Sequence, residues 1–175
     1  SGFADYKALV CLFLFGGNDS WNMLIPTSSA EYDQYARSRG AGTPSSLAVE
    51  KALLLPISPG SLDPRFSFGF HPKMQEIRDL FVSGRVAVLP NVGPLIVPTT
   101  KAQYFDADRL AHPLPPQLFS HNDQQDQWHS LRGKFLLTSG WAGRVADVLA
   151  EQTVAQRVPL NISLFGQTLF HSSMS

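Results

Sequence analysis

The sequence predicts an α/β fold with a mostly parallel sheet, and three observations carry that reading. Ala8 to Phe15 form an unbroken run of eight apolar residues, ended by Gly16-Gly17. A half-exposed strand would alternate apolar and polar residues. A continuous run this short reads instead as a strand covered on both faces, the habit of parallel sheets. The second observation is a helix, a glycine stop and an apolar run in about twenty residues (His71 to Gly84, then Arg85 to Asn91), the return half of a βαβ unit. The third is Leu160-Asn-Ile-Ser-Leu164, a further strand candidate after Pro159.

The elements follow in order. The glycines after Phe15 let the backbone turn sharply, and Asn18, Asp19, Ser20 and Asn22 then lie just past the end of the first predicted strand. Open α/β sheets bind ligands at that place. A plain glycine turn with solvated polar residues is the competing reading. Met23 to Pro26 is a short apolar stretch, and Ser28-Ser-Ala-Glu31 fits a capping box for a helix to about Arg39. Leu53 to Leu55 is a short strand or a packed loop, and Pro56 to Pro64 reads as irregular surface. Pro72 suits a first helical position, Met74, Ile77, Leu80 and Phe81 recur at helical spacing, and Gly84 stops that helix. Asn91 ends the second predicted strand. Val92 to Pro116 is a long proline-rich connection with one helical turn around Tyr104 to Leu110, of a length that suits a segment covering a site. Ser120, Asn122 and Asp123 are candidate caps for a helix towards Arg132. Gly140-Trp-Ala-Gly143 opens another helix, with Trp141, Val145, Val148 and Leu149 as its predicted buried face.

Composition narrows the function. Of the 175 residues 43% are hydrophobic and 16% charged, so the chain folds into a real core, and one domain is the default. Lys plus Arg and Asp plus Glu both number 14, and no basic cluster stands out, which argues against nucleic acid as the main partner. No apolar run approaches the ~18 residues of a membrane helix. Cys11 is the one cysteine, predicted to pack inside the first strand; it has no partner for an internal disulfide. The start at Ser1-Gly2-Phe3, close before a core strand, fits a mature exported protein or a trimmed chain. The unusual end at Phe165 to Ser175 fits a piece of a longer one.

Three polar clusters carry candidate chemistry: Asn18/Asp19, Asn91, and Ser120/His121/Asn122/Asp123. A helix N-terminus offers free N–H groups to a phosphate or sulfate, a serine there becomes a nucleophile if a base or metal activates it, and an aspartate at a strand end holds a cation through oxygen. Together they would build metal-assisted ester hydrolysis. Ser120 as a mere helix cap, and His121 as a locally bonded side chain, are the plainer alternatives. His71, His112 and His129 stand in turn or helix contexts that do not suggest ligands, no histidine pair has zinc-helix spacing, and Gly16-Gly17 lacks the Lys-Ser/Thr of a phosphate-binding loop.

Four blocks, Phe13-Leu-Phe-Gly-Gly-Asn-Asp-Ser-Trp-Asn-Met-Leu-Ile-Pro26, His71-Pro-Lys-Met with Val88-Leu-Pro-Asn-Val-Gly93, Ser120-His-Asn-Asp-Gln-Gln-Asp-Gln-Trp128 and Gly140-Trp-Ala-Gly-Arg144, resemble in order the bacterial family called "domain of unknown function 1501". Members are exported by the twin-arginine route and grouped with the alkaline phosphatase and sulfatase superfamily. The resemblance implies a doubly wound α/β sandwich of alkaline phosphatase type, with residues 1–175 forming a single domain that is the N-terminal portion of a larger one. It implies Asp19 as a metal ligand, with Asn18 a weaker candidate, and Ser120 as the nucleophile, with Thr99 or Thr100 as the fallback. Asn91, His121 and Asn122 would then bind an anionic ester, and a divalent ion (zinc, calcium or manganese) would be the cofactor. The superfamily's remaining metal ligands would lie in an Asp-His-Gly-type block, which this chain lacks, so a complete two-metal site is not expected here. The functional expectation is an exported, periplasmic metal-dependent hydrolase of phosphate or sulfate esters. The alternatives are a non-catalytic binding or scaffold protein on the same fold, and a serine esterase using Ser20.

Overall fold

Three short strands, β1 (Leu24–Pro26), β2 (Leu55–Ile57) and β3 (Phe68–Phe70), pair antiparallel in the order β1-β3-β2 in this computed structural model. The described residues are 8–16, 18–58, 60, 66–131, 138–150 and 159–173. Among the described residues five helices accompany the sheet: α1 (Ser29–Ser38), α2 (Gln75–Val82), α3 (Lys101–Phe105), α4 (His121–Ser130) and α5 (Trp141–Ala150). The chain divides into two compact units, Gly17–Pro90 on one hand and Ser1–Gly16 with Asn91–Ser175 on the other. No helix among the described residues is long and apolar enough to cross a membrane.

This architecture corrects the predicted mostly parallel, doubly wound sandwich: the small sheet is wholly antiparallel. None of the three predicted strands forms. Residues 8–15, 85–89 and 160–164 carry no strand. Apolar composition favours burial, but a strand exists only where a second strand takes its N–H and C=O groups, and these runs find no such neighbour among the described residues. Cys11, expected to pack, is exposed. Gly17 of the predicted turn and Pro64 of the predicted loop lie outside the described residues.

In the unit Gly17–Pro90, β3 lies between its two neighbours, pairing Gly69 with Ile25 on one side and with Pro56 on the other. A Cβ at Gly69 would sit 2.8 Å from Leu54 Cβ, so only glycine lets the strands close there. Pro26 and Pro56 fall on the two edge strands, where a missing N–H costs no ladder bond. Ile25, Tyr35 and Leu54 form the core, with Tyr32, Ala36, Ala48 and Val49 packed around it. Full burial of Ile25 contributes about 2–3 kcal/mol. Tyr35 is held at both ends of its hydroxyl, which donates to Asn22 Oδ1 at 2.6 Å and accepts from Val49 N–H at 2.9 Å. Its burial raises its pKa.

Helix ends follow local sequence closely. Ser28 is the N-cap of α1 and its hydroxyl donates to the Glu31 carboxylate, although it makes no bond to the helix backbone. α2 starts three residues after Pro72, because His71 and Pro72 are drawn into a turn anchored by His71 N–H to the Met23 carbonyl at 3.1 Å. Gly84 ends it as predicted: it adopts φ +72°, its N–H bonds the Phe81 carbonyl at 3.0 Å, and Arg85 N–H bonds the Leu80 carbonyl at 2.8 Å. Those two bonds are a Schellman motif, and they engage Arg85 where the second strand was expected to begin.

In the other unit, Thr100 caps α3 with a full capping box to Gln103. The end of α4 is tied to the start of α5 by Arg144, which donates to the Ser130 carbonyl at 2.5 Å and the Ser139 carbonyl at 2.9 Å. A guanidinium there answers carbonyls that the α4 C-terminus leaves unpaired. The predicted buried face of α5 is corrected at Val145 and Val148, which are exposed. α5 packs instead through Gly143 on a 3-10 turn, Leu169–His171, and on Ser172 that follows it, where a Cβ would collide with the Ser172 carbonyl.

Candidate functional site

Ser120 is the N-cap of α4, half-buried, in extended backbone. Its hydroxyl donates to the Asp123 carboxylate and accepts from Asp123 N–H at 3.5 Å. The two amides between them, those of His121 and Asn122, meet no acceptor among the described residues. Both residues are exposed. The first turn of α4 therefore presents two free N–H groups, the positive end of the helix dipole and a hydroxyl with a carboxylate acceptor beside it. The amides and the dipole are groups of the kind that bind an oxyanion, while the Asp123 carboxylate is an acceptor for the hydroxyl proton.

The turn leading into Ser120 is strained. Gln117 and Phe119 have φ of +52° and +76°, values that side-chain-bearing residues rarely adopt. The turn is held by Ser120 N–H to the Gln117 carbonyl at 2.8 Å, and by buried Gln127, whose Nε2 donates to the Pro116 carbonyl at 2.8 Å. Strain of this kind costs on the order of 1–3 kcal/mol per residue and concentrates at functional sites. Neither Gln117 nor Phe119 was singled out from sequence; Pro115-Pro116 was the available signal for a tight turn. His121 lies against the backbone of Gly16, with Nδ1 3.4 Å from where a Cβ would stand.

The other predicted residues are placed differently. Asn91 stands in an exposed turn at φ +57°, not at a strand end, and makes no hydrogen bond to Ser120, His121 or Asn122. Thr100 is committed to capping α3, and the Thr99 hydroxyl donates to the Val97 carbonyl at 2.9 Å. Asn18, Asp19 and Ser20 belong to the unit Gly17–Pro90, whereas Ser120, His121, Asn122 and Asn91 belong to the other. Asp19 precedes a 3-10 turn, Ser20–Asn22, and its carboxylate is paired with the Arg39 guanidinium. Arg39, twenty residues away, had no sequence signal as its partner.

Divalent zinc, calcium or manganese needs several anionic or imidazole donors. Around Asp19 there is one carboxylate already compensated by a guanidinium, with Asn18 as a neutral neighbour. Among the described residues no group of three or more His, Cys, Asp or Glu converges. As placed, this set does not fit a divalent ion unless Arg39 leaves. Arg39→Ala is therefore expected to raise the affinity of Asp19 for manganese or calcium roughly five- to tenfold in calorimetric titration. Unchanged affinity would show that Arg39 does not compete. The pair is partly exposed, so its loss costs at most about 1 kcal/mol of stability.

In the last turn of α4, His129 packs among aromatic rings, 4.7 Å from Phe13 and 6.1 Å from Phe170 between centroids, with Trp141 4.6 Å beyond Phe170. A cavity of about 260 Å³ opens among Phe13, Trp128, His129, Trp141 and Phe170. Desolvation lowers the His129 pKa; Asp126 opposes the shift and His171 adds to it. With the folded value below the unfolded one, the unfolded chain takes up the proton first. The neutral ring therefore stabilises above about pH 6.5, and that contribution is lost as pH falls towards the folded value. The melting temperature should drop more steeply between pH 7 and pH 5 in the wild type than in His129→Phe; parallel curves would contradict the assignment.

Searches against family models, curated proteins and solved structures found no match to this chain.

Proposed function

We propose that this chain serves a hydrolase of phosphate or sulfate esters, with Ser120 as the nucleophile. The observation that carries the reading is the first turn of α4, where a serine hydroxyl hydrogen-bonded to a carboxylate stands beside two free backbone amides. The ester's anionic oxygens sit on the His121 and Asn122 amides, whose preorganised dipoles stabilise the charge that builds up on them. The Asp123 carboxylate takes the hydroxyl proton as Ser120 Oγ bonds to phosphorus or sulfur and the ester bond to the leaving oxygen breaks. The leaving oxygen departs as the aryloxide or alkoxide and is protonated by solvent, and Asp123 loses its proton to solvent. The carboxylate then takes a proton from the water that attacks phosphorus or sulfur, breaks the bond to Ser120 Oγ and releases the inorganic anion. Asn91 and the His121 ring belong to the same reading as groups contacting the rest of the ester. No step is assigned to a metal. Export to the periplasm belongs to the reading as well, and cell fractionation tests it.

The test is a panel of aryl phosphates and aryl sulfates, assayed with and without added zinc, calcium or manganese. Turnover with saturable kinetics is the expected outcome; absence of turnover under every condition would sink the reading. A non-catalytic binding protein is the second reading, favoured by the ion pair that occupies the Asp19 carboxylate. It predicts ester or anion binding without turnover. The Ser20 esterase gains no support, since the Ser20 hydroxyl meets no base among the described residues.

A further inference from the structure

The aromatic cavity is built within one unit and lies apart from the first turn of α4. Trp128 and His129, which line it, follow Ser120 by eight and nine residues, roughly 12 Å along the helix. Phe13, Trp141 and Phe170 continue the wall of rings, and Cys11 lines it from an exposed position, so the thiol stands at the mouth. The rings cross one another: Trp141 meets Phe170 at 87° and His129 meets Phe13 at 55°. Crossed rings offer an incoming ring both a face and an edge, the two arrangements that aromatic pairs prefer. Almost no polar atom faces the cavity, and no carboxylate lines it among the described residues. Water finds too few partners there, and a charged guest would lose its hydration without compensation. Desolvation holds His129 itself towards its neutral form, against the pull of Asp126.

We propose that this cavity binds a small, flat, uncharged aromatic molecule of one or two fused rings. Its volume sets the size of the guest. An apolar cavity of about 150 Å³ stays dry and takes up benzene. The 260 Å³ here gives, in proportion, room for roughly ten non-hydrogen atoms, the size of indole or naphthalene. This site is independent of the ester chemistry at Ser120, which it neither uses nor needs.

Titration calorimetry of the full chain with indole, and separately with tetramethylammonium chloride, tests it. Cys11→Phe, which places a ring in the mouth, is measured beside the wild type, with circular dichroism as the check on folding. The expected result is one equivalent of indole bound with a Kd of about 100 µM or tighter, at least about tenfold weaker in Cys11→Phe. Tetramethylammonium should bind more weakly than indole or not at all. Cys11 is the single thiol, so its alkylation by iodoacetamide gives a second readout on the unaltered chain. Indole at about ten times its Kd should slow that reaction at least about fivefold. Should Cys11→Phe fail to fold, the protection of Cys11 decides alone. No indole bound by the wild type, equal binding by a folded Cys11→Phe, or an unprotected thiol would overturn the proposal. So would tetramethylammonium binding as tightly as indole or more so, by assigning the rings to a cation.

Discussion

Ser120→Asn should leave the chain folded and reduce ester hydrolysis by roughly 10³-fold or more, the scale of losing a nucleophile that acts with its base as a unit. Asparagine is as good an N-cap as serine, so α4 keeps its first turn, but its amide cannot form the covalent intermediate. Ser120→Ala separates the two roles from the other side. It removes the cap as well as the nucleophile, and should cost about 1 kcal/mol of stability besides the activity. If Ser120 is only a cap, alanine lowers the melting temperature while asparagine leaves both stability and any activity intact. Asp123→Asn completes the set. The Ser120 hydroxyl keeps a hydrogen-bonding neighbour there but loses the group that accepts its proton, so the rate should fall by about 10²-fold with little change in stability.

Gly143→Ala is expected to cost about 3 kcal/mol of stability, at the upper end for overpacking. The added Cβ would meet the Ser172 carbonyl and lie 2.9 Å from Ser173 N. Backbone cannot rotate away as a flexible side chain can, so α5 must lift from the segment that follows the 3-10 turn. Gly140 has the same relation to the Leu169 and Phe170 carbonyls, and Gly140 N–H also donates to the Ser172 carbonyl at 2.9 Å. Gly93→Ala is the control: no atom lies within 4 Å of its Cβ and its φ is ordinary, so a change within about 0.5 kcal/mol is expected. Chemical denaturation of the two variants reads the difference. Equal midpoints for Gly143→Ala and Gly93→Ala would contradict the packing of α5 described above.

Local signals were legible in the sequence and non-local ones were not. Ser120 and Gly84 each act at the helix end where their chemistry places them, because a cap needs only residues within one turn. Ser28 holds the N-cap position of α1 but closes no capping box, its hydroxyl bonding the Glu31 side chain alone. The strands went the other way. β1, β2 and β3 have three residues each, carry Pro26, Pro56 and Gly69, and so violate the composition by which strands are recognised; pairing partners far along the chain decide them. The run Ala8 to Phe15 has ideal strand composition and no partner strand among the described residues. In α5, helical spacing put Val145 and Val148 on the buried face, yet the contact is made where two glycines three residues apart let another backbone approach. The pair Gly140 and Gly143 was the readable signal. At the candidate site, Ser120 with its neighbours followed from the helix start, whereas the ion pair of Asp19 with Arg39 spans twenty residues and left no trace in local pattern.

The central claim is that Ser120 attacks the ester, and it is tested most directly by acid-quenching the protein during turnover of an aryl phosphate or sulfate and mapping the modified peptide by mass spectrometry. The account predicts a phosphoryl or sulfuryl group on Ser120, absent from Ser120→Asn. Turnover without that adduct, undiminished in Ser120→Asn, would contradict it and leave Ser120 as the cap of α4 alone.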